Sequence, residues 1–383
     1  MCIFVSEKQF FHRLTFGATY IMRKIKGRLT TELLKHTDPK NVGQSSAFQI
    51  SNFRDLVEQV AKLSYLNKDF LLFFRGQDSD YKNKAGVSSF YPTIYRGDPL
   101  TQDQIDFRFE LLNNCCKALT TSFRENKIEG YTELERKRII QWSILQHYRV
   151  AETPLIDVTQ SLRVACSFAL LENDESTGYV YVFGLPYYSN RISYNSEHDL
   201  INVRLLSITP PNALRPYFQE GYMVGTEDIT NEYRDKSELD LNNRLIAKFE
   251  IPKRSSFWGA HFNEIPRNAL YPSGDTIEKI CKEIQVEAKR SISSTLYGQF
   301  MLQWSEVEQF LIKRAQKYDR NVHQIRLAFK TLIEHNENKY GILNELDYLR
   351  NFRNKLAHDP TQVTNSEIAN QIQTLKHLYN SYK

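Results

Sequence analysis

Residues 69–81 read DFLLFFRGQDSDY, and the reading of this stretch decides what kind of domain surrounds it. Five apolar residues, Phe70 to Phe74, run without interruption and then break at Arg75-Gly76-Gln77. A short, wholly apolar run of aromatic and branched residues is the pattern of a strand buried on both faces. Its end delivers an arginine and a glutamine, one on each side of a glycine, to whatever lies beyond the sheet. The stretch therefore predicts a central strand with polar groups at its tip.

Working outward, SNFRDLVEQVAKLSYL (51–66) has Ser51 as a cap candidate and apolar residues at helical spacing, Phe53, Leu56, Val57, Val60 and Ala61. HTDPKNVGQSSAF (36–48) and VSSFYPTIYRGDPL (87–100) are loops by composition. Residues 101–148 carry a helical pattern. TPLIDVTQSLRVACSFALLEND (153–174) begins as a strand and becomes a helix, with Asp157, Thr159 or Ser161 as its cap. GYVYVFGLP (178–186) alternates aromatic with branched residues and is the clearest strand, and LIAKFEIP (245–252) is another. From Asp275 onward strand signals stop, and five segments with helical periodicity follow, joined by short polar turns. The expected class is thus α+β, with a basic arm at 1–48, a mixed α/β domain at 49–275 and an all-α bundle at 276–383.

The chain has 383 residues, of which 41% are hydrophobic and 25% charged, so it can build more than one core. No apolar run approaches a membrane span or a signal-peptide core, and a cytoplasmic protein without membrane contact is expected. Cys2, Cys115, Cys116, Cys166 and Cys281 are odd in number and lack CxxC or zinc spacing. Reduced thiols and no metal are expected. In residues 1–36, Lys8, Arg13, Arg23, Lys24, Lys26, Arg28 and Lys35 face Glu7 and Glu32, a difference equal to the formal net charge of +5. A solvated basic face is the expected reading of that arm.

FFRGQ (73–77), YPTIYRG (91–97), LQHY (145–148), TPLIDVTQSLRVACSFA (153–169), RPYFQEGYM (215–223), LIAKFEIP and LYPSGD (270–275) follow one another in an order that resembles the FRG domain family. The resemblance spans roughly residues 49 to 275. The commoner family pattern GLPTRLLDWT is replaced here by RVAETPLIDVT (149–159), without the glycine and without the arginine after Thr153. The resemblance implies an arrangement somewhat like an ADP-ribosyltransferase fold. It makes Arg75, Gln77, Arg96, His147, Asp157, Thr159, Gln219 and Glu220 the expected ligand-binding set, with NAD or a nucleotide as ligand. Arg75 would clamp phosphate and Glu220 would steady an oxocarbenium-like ribose. The competing reading is a structural hydrogen-bond network, with Gly76 permitting a bulge and His147 a satisfied core histidine.

RNKLAH (353–358), together with QWSEVEQFL (303–311), is similar to the HEPN superfamily of helical, commonly ribonucleolytic domains. That resemblance implies a metal-independent endoribonuclease acting on RNA, with no required cofactor. Arg353 would hold phosphate, His358 would exchange protons with the 2′-hydroxyl, and Asn354 would orient them. Five residues at 100° each separate Arg353 and His358 by about 140° on an ideal helix, so a composite site in a homodimer is expected. The alternative is that these residues only cap the helix before Asp359-Pro360. Together the two resemblances imply an effector of the toxin or abortive-infection (phage defence) type, answering to a protein inhibitor or a phage-derived trigger. Two other readings remain open: an NAD-using FRG enzyme dimerised by the bundle, and a non-catalytic regulatory adaptor.

Overall fold

The computed structural model describes residues 22–97, 100–171, 173–226, 236–290, 292–360 and 363–383; Cys2 and residues 1–21 of the basic arm lie outside the described residues. An eight-stranded sheet organises the first two thirds of the chain. Its strands are β1 (Phe48–Gln49), β2 (Leu71–Gln77), β3 (Ile156–Thr159), β4 (Thr177–Leu185), β5 (Ile192–Asn195), β6 (Leu200–Arg204), β7 (Gly221–Gly225) and β8 (Leu245–Pro252). They lie in the order β1-β8-β4-β2-β3-β7-β6-β5. The β1–β8 pair is parallel and the remaining pairs are antiparallel.

The apolar run of β2 exists because both faces of the strand are covered. Phe74 packs with α1 (Phe53–Leu66) and α5 (Leu162–Leu170) on one face. Phe73 packs on the other with Tyr181, Phe183 and Val158. Gly76 and Gly178 let α5 sit directly on the strands, because a Cβ there would lie 1.9 Å from the Ala165 carbonyl oxygen and 2.4 Å from that of Ala169. Gly76 makes no bulge: the β2–β4 register runs unbroken through it, and the irregularity in β4 falls at Val182/Phe183, where β4 meets β8. The cap of α1 is Asn52 rather than Ser51, its side chain accepting from the Asp55 amide at 2.9 Å. Of the three cap candidates for α5, Ser161 fills the position.

A helical layer forms beside the sheet from α2 (Gln102–Glu125), α3 (Tyr131–Arg136) and α4 (Arg138–His147), with α6 (Leu214–Gln219) and α7 (Arg267–Leu270) as short connectors. Helix α8 (Thr276–Arg290) belongs to this layer. Ile277, Ile280, Cys281 and Ile284 share one core with α2 and α4, so the composition change at Asp275 precedes the start of the C-terminal core by a whole helix. That core is made by α9 (Ser294–Ala315), α10 (Ile325–Glu334), α11 (Ile342–His358) and α12 (Asn365–Tyr382) around Phe300, Trp304, Leu346 and Ile372. The bundle joins α2 through Phe107, through Ser293 and Ser294 hydroxyls donating to Glu110 at 2.7 and 3.0 Å, and through Lys376 against Asp103 at 3.7 Å. Cys115, Cys116, Cys166 and Cys281 are buried free thiols, and burial pushes Cys115 up to about 11 and Cys116 up to about 12. Among the described residues no helix is long and apolar enough to cross a membrane.

Candidate functional site

Strands β2 and β3 share a single register pair, Phe74 with Thr159, and part beyond it. A cleft of about 1500 Å³ opens there. The Arg75 guanidinium spans the gap, Nη1 donating to the Asp157 carbonyl at 2.5 Å. The Asp157 carboxylate turns to a different partner and accepts from Gln146 Nε2 at 2.7 Å. Gln146 is held in turn by the hydroxyls of Thr153 and Thr93, at 2.6 and 3.1 Å from its Oε1. The strand tip, the loop before α2, the end of α4 and β3 are thus tied into one network.

Burial pushes the Arg75 guanidinium down to about 10; Asp157 opposes that fall, while the positive charges of Arg96 and Arg149 add to it. His147 is buried at 5% exposure, and its Nε2 has no partner. Burial, then the charges of Arg215 and Arg149, hold its pKa well below the usual histidine range. At neutral pH it is an uncharged ring, suited to accepting a hydrogen bond and unsuited to binding an anion. Among the cleft-lining groups, Gln77 also has a buried, unpartnered oxygen, Oε1.

Of the expected set, Arg75, Gln77, Arg96, His147, Asp157, Thr159 and Gln219 all line this cleft. Arg96 is exposed, with Nε on the Tyr91 carbonyl at 2.8 Å. Thr159 is committed to the scaffold: its hydroxyl is shared between the Gln219 and Glu220 carbonyls, at 3.1 Å each, and accepts from the Ser161 amide. Gln219 donates to the Leu270 carbonyl at 2.8 Å. Glu220 is the exception. It ends α6 in the left-handed conformation (φ 45°), is exposed, and is not among the residues lining the cleft. The carboxylate expected at a ribose is therefore not at the site.

Arg149, Arg215 and Tyr271 line the same cleft and were not in the expected set. The Arg215 guanidinium lies 4.6 Å from the Tyr271 ring centroid and 5.4 Å from that of Tyr148. Arg149 Nη2 donates to the Tyr271 hydroxyl at 3.1 Å. Its backbone holds φ at +56°, which costs a non-glycine residue about 1–3 kcal/mol and concentrates at functional positions. The sequence signal available was the placement of both arginines beside tyrosines, in LQHYR and RPY, since such pairs favour cation–π contact. The LYPSGD block supplies the joint behind them. Asp275 Oδ2 accepts from Tyr148 OH (2.7 Å) and the Arg215 amide (3.0 Å), while Oδ1 caps α8 through Ile277 and Glu278.

The second expected site lies apart, in the C-terminal core. Arg353 is half-buried, its Nη1 donating to Asn354 Oδ1 at 3.2 Å and its buried Nε without a partner. His358 is the last residue of α11 and is exposed. The structure joins Arg353 to Asn354 and places His358 at the helix end without a hydrogen bond to either.

Comparison with curated proteins and with solved structures returned no match. Residues 71–178, from the first residue of β2 into β4, match the family model of the FRG domain, which takes in the Arg75–Asp157–Gln146 network and stops short of α6, α7 and the helical bundle.

Proposed function

We propose that the cleft binds a nucleotide-type ligand, NAD or another phosphate-bearing nucleotide, and that the helical bundle is the part that responds. One observation carries this reading. Arg75, Arg96, Arg149 and Arg215 line a single cleft, none of them in an ion pair among the described residues, and the Asp157 carboxylate in the same lining accepts its hydrogen bond from Gln146. Guanidinium groups without an ion-pair partner favour phosphate, and Tyr81 and Phe168 in the same lining provide faces for a base. The reading is of binding rather than group transfer, because Glu220 lies outside the cleft. Calorimetry of the full chain with NAD and with ATP tests it. Arg96→Gln should weaken binding by about tenfold to a hundredfold, the worth of one charged hydrogen bond, and leave the thermal midpoint of the free protein in place. Absence of binding by any phosphorylated nucleotide at millimolar concentration would remove the proposal.

A second reading concerns the bundle: metal-independent cleavage of RNA by Arg353, Asn354 and His358 in a HEPN-like homodimer. It is favoured by the unpartnered Arg353 Nε and by the exposed imidazole at the end of the same helix. With both readings in place, the protein is a two-part effector of the toxin type, in which a nucleotide or a trigger at the cleft governs RNA cleavage in the bundle.

A further inference from the structure

The four guanidinium groups of the cleft fall into two pairs. Arg215 acts through its charge on His147, Arg149 on both His147 and Arg75, and Asp157 on both Arg75 and Arg96. Contacts fix the two pairs independently. Arg75 is bonded to the β3 backbone and Arg96 to the loop before α2, whereas Arg149 and Arg215 are gathered on Tyr271. Arg215 is 6% exposed with its Nε unpartnered, and none of the four makes an ion pair among the described residues. The cleft lining also offers hydrogen-bond acceptors: the Asp157 carboxylate beside the first pair and the neutral His147 ring beside the second. A single phosphate against Arg75 and Arg96, on which the Asp157 charge already acts, would leave Arg149 and Arg215 as a pair of like charges without compensation, which is electrostatically unfavourable.

We propose, building on the nucleotide-binding reading, that the ligand is a nucleoside carrying at least two phosphate groups, as in a nucleoside diphosphate or a pyrophosphate-linked dinucleotide. One phosphate lies against Arg75 and Arg96 and the next against Arg149 and Arg215. Asp157 and His147 take hydrogen bonds from hydroxyl or amino groups of the uncharged part. Arg149 and Arg215 are then the residues that select for the second phosphate.

Calorimetry of the full chain with AMP, ADP and inorganic diphosphate tests this. ADP should bind about tenfold or more tighter than AMP, the worth of one additional charged contact, and tighter than diphosphate, which lacks the nucleoside. Arg149→Gln, at an exposed position, should collapse the ADP-over-AMP preference to within about threefold. Equal affinity for AMP and ADP in the wild type, or an unchanged preference in Arg149→Gln, overturns the two-phosphate inference while leaving nucleotide binding intact. Diphosphate binding tighter than ADP overturns the nucleoside assignment. No binding of ADP overturns this inference, and no binding of NAD and ATP as well overturns the reading on which it rests.

Discussion

Lys248 is a buried charge within the sheet. It sits mid-strand in β8 opposite Tyr181 and is 2% exposed. Its ammonium donates to Asp80 Oδ2 and Ser88 Oγ, both at 2.9 Å, and to the Gly43 carbonyl at 3.2 Å, so all three donors are used. Asp80 also accepts from Ser88 and from Tyr181 OH at 3.1 Å. Removing Lys248 leaves Asp80 with the exposed Lys82 at 3.7 Å as its remaining cation, so Lys248→Met should cost about 3 kcal/mol, the lower end of the range for breaking a buried pair. The double variant Asp80→Asn/Lys248→Met should recover part of it, read as the denaturant midpoint at constant slope. Burial alone would raise the Asp80 carboxyl, yet hydrogen bonds from Ser88 and Lys248, with the lysine's charge, outweigh it and hold the group below its ordinary 3.8. A depressed acid stabilises the fold fully above its unfolded pKa and loses that contribution as pH falls towards the folded value. Unfolding followed from pH 6 down to 3 should therefore show a larger acid loss in the wild type than in Asp80→Asn, the difference being the contribution of this carboxylate.

At the scale of elements, α5 on β2 and β4 decides the shape of the cleft floor. Gly76 and Gly178 hold the helix at backbone distance, and Ser161 caps it two residues after Thr159, which is tied to the α6–β7 junction. Gly76→Ala must push a carbonyl that is hydrogen-bonded within a helix. Overpacking of this kind costs about 1–3 kcal/mol, and a backbone obstacle places it at the upper end. Gly298→Ala in α9 has nothing within 4 Å of the new methyl group and should instead stabilise by about 0.5–1 kcal/mol. Equal effects of the two substitutions in urea unfolding would contradict the close-approach account. The strand itself was legible in FFRGQ because burial on both faces leaves an unbroken apolar run. The reason for its glycine was not, because the obstructing carbonyl belongs to a residue 89 positions later, Ala165.

For the molecule as a whole, the composition change at LYPSGD marks a joint rather than a gap. Asp275 binds the wall of the cleft with one oxygen and caps α8 with the other, and α8 packs on α2, which contacts the bundle. Any effect of ligand on the bundle has this path available. The ribonuclease reading proposed for the bundle is tested by His358→Ala. Because the imidazole is exposed at a helix end, its loss should cost at most about 1 kcal/mol of stability. RNA cleavage should disappear while the unfolding midpoint stays in place, and EDTA should leave wild-type cleavage unaffected. Cleavage that survives the substitution, or that requires a divalent cation, would assign the bundle to binding or assembly alone.

Periodicity, caps and turn residues act between chain neighbours, and so the sequence by itself determined the strands β2, β4 and β8, the helical C-terminal part, and the order of the polar blocks. Seven of the eight residues expected at the ligand site came together, because the strands, helix ends and loop that carry them surround the gap between β2 and β3 in the middle of the sheet. Only the tertiary structure decided the rest. Glu220 left the site because a left-handed residue closing α6 carries its side chain to solvent. Arg149 and Arg215 entered it because Tyr271, far along the chain, gathers both guanidinium groups. Helix α8 joined the first domain because Ile277, Ile280 and Ile284 complete the core of α2 and α4. Each of these outcomes depends on contacts between distant segments, and amphipathic periodicity shows which face of a helix will be buried without showing against what.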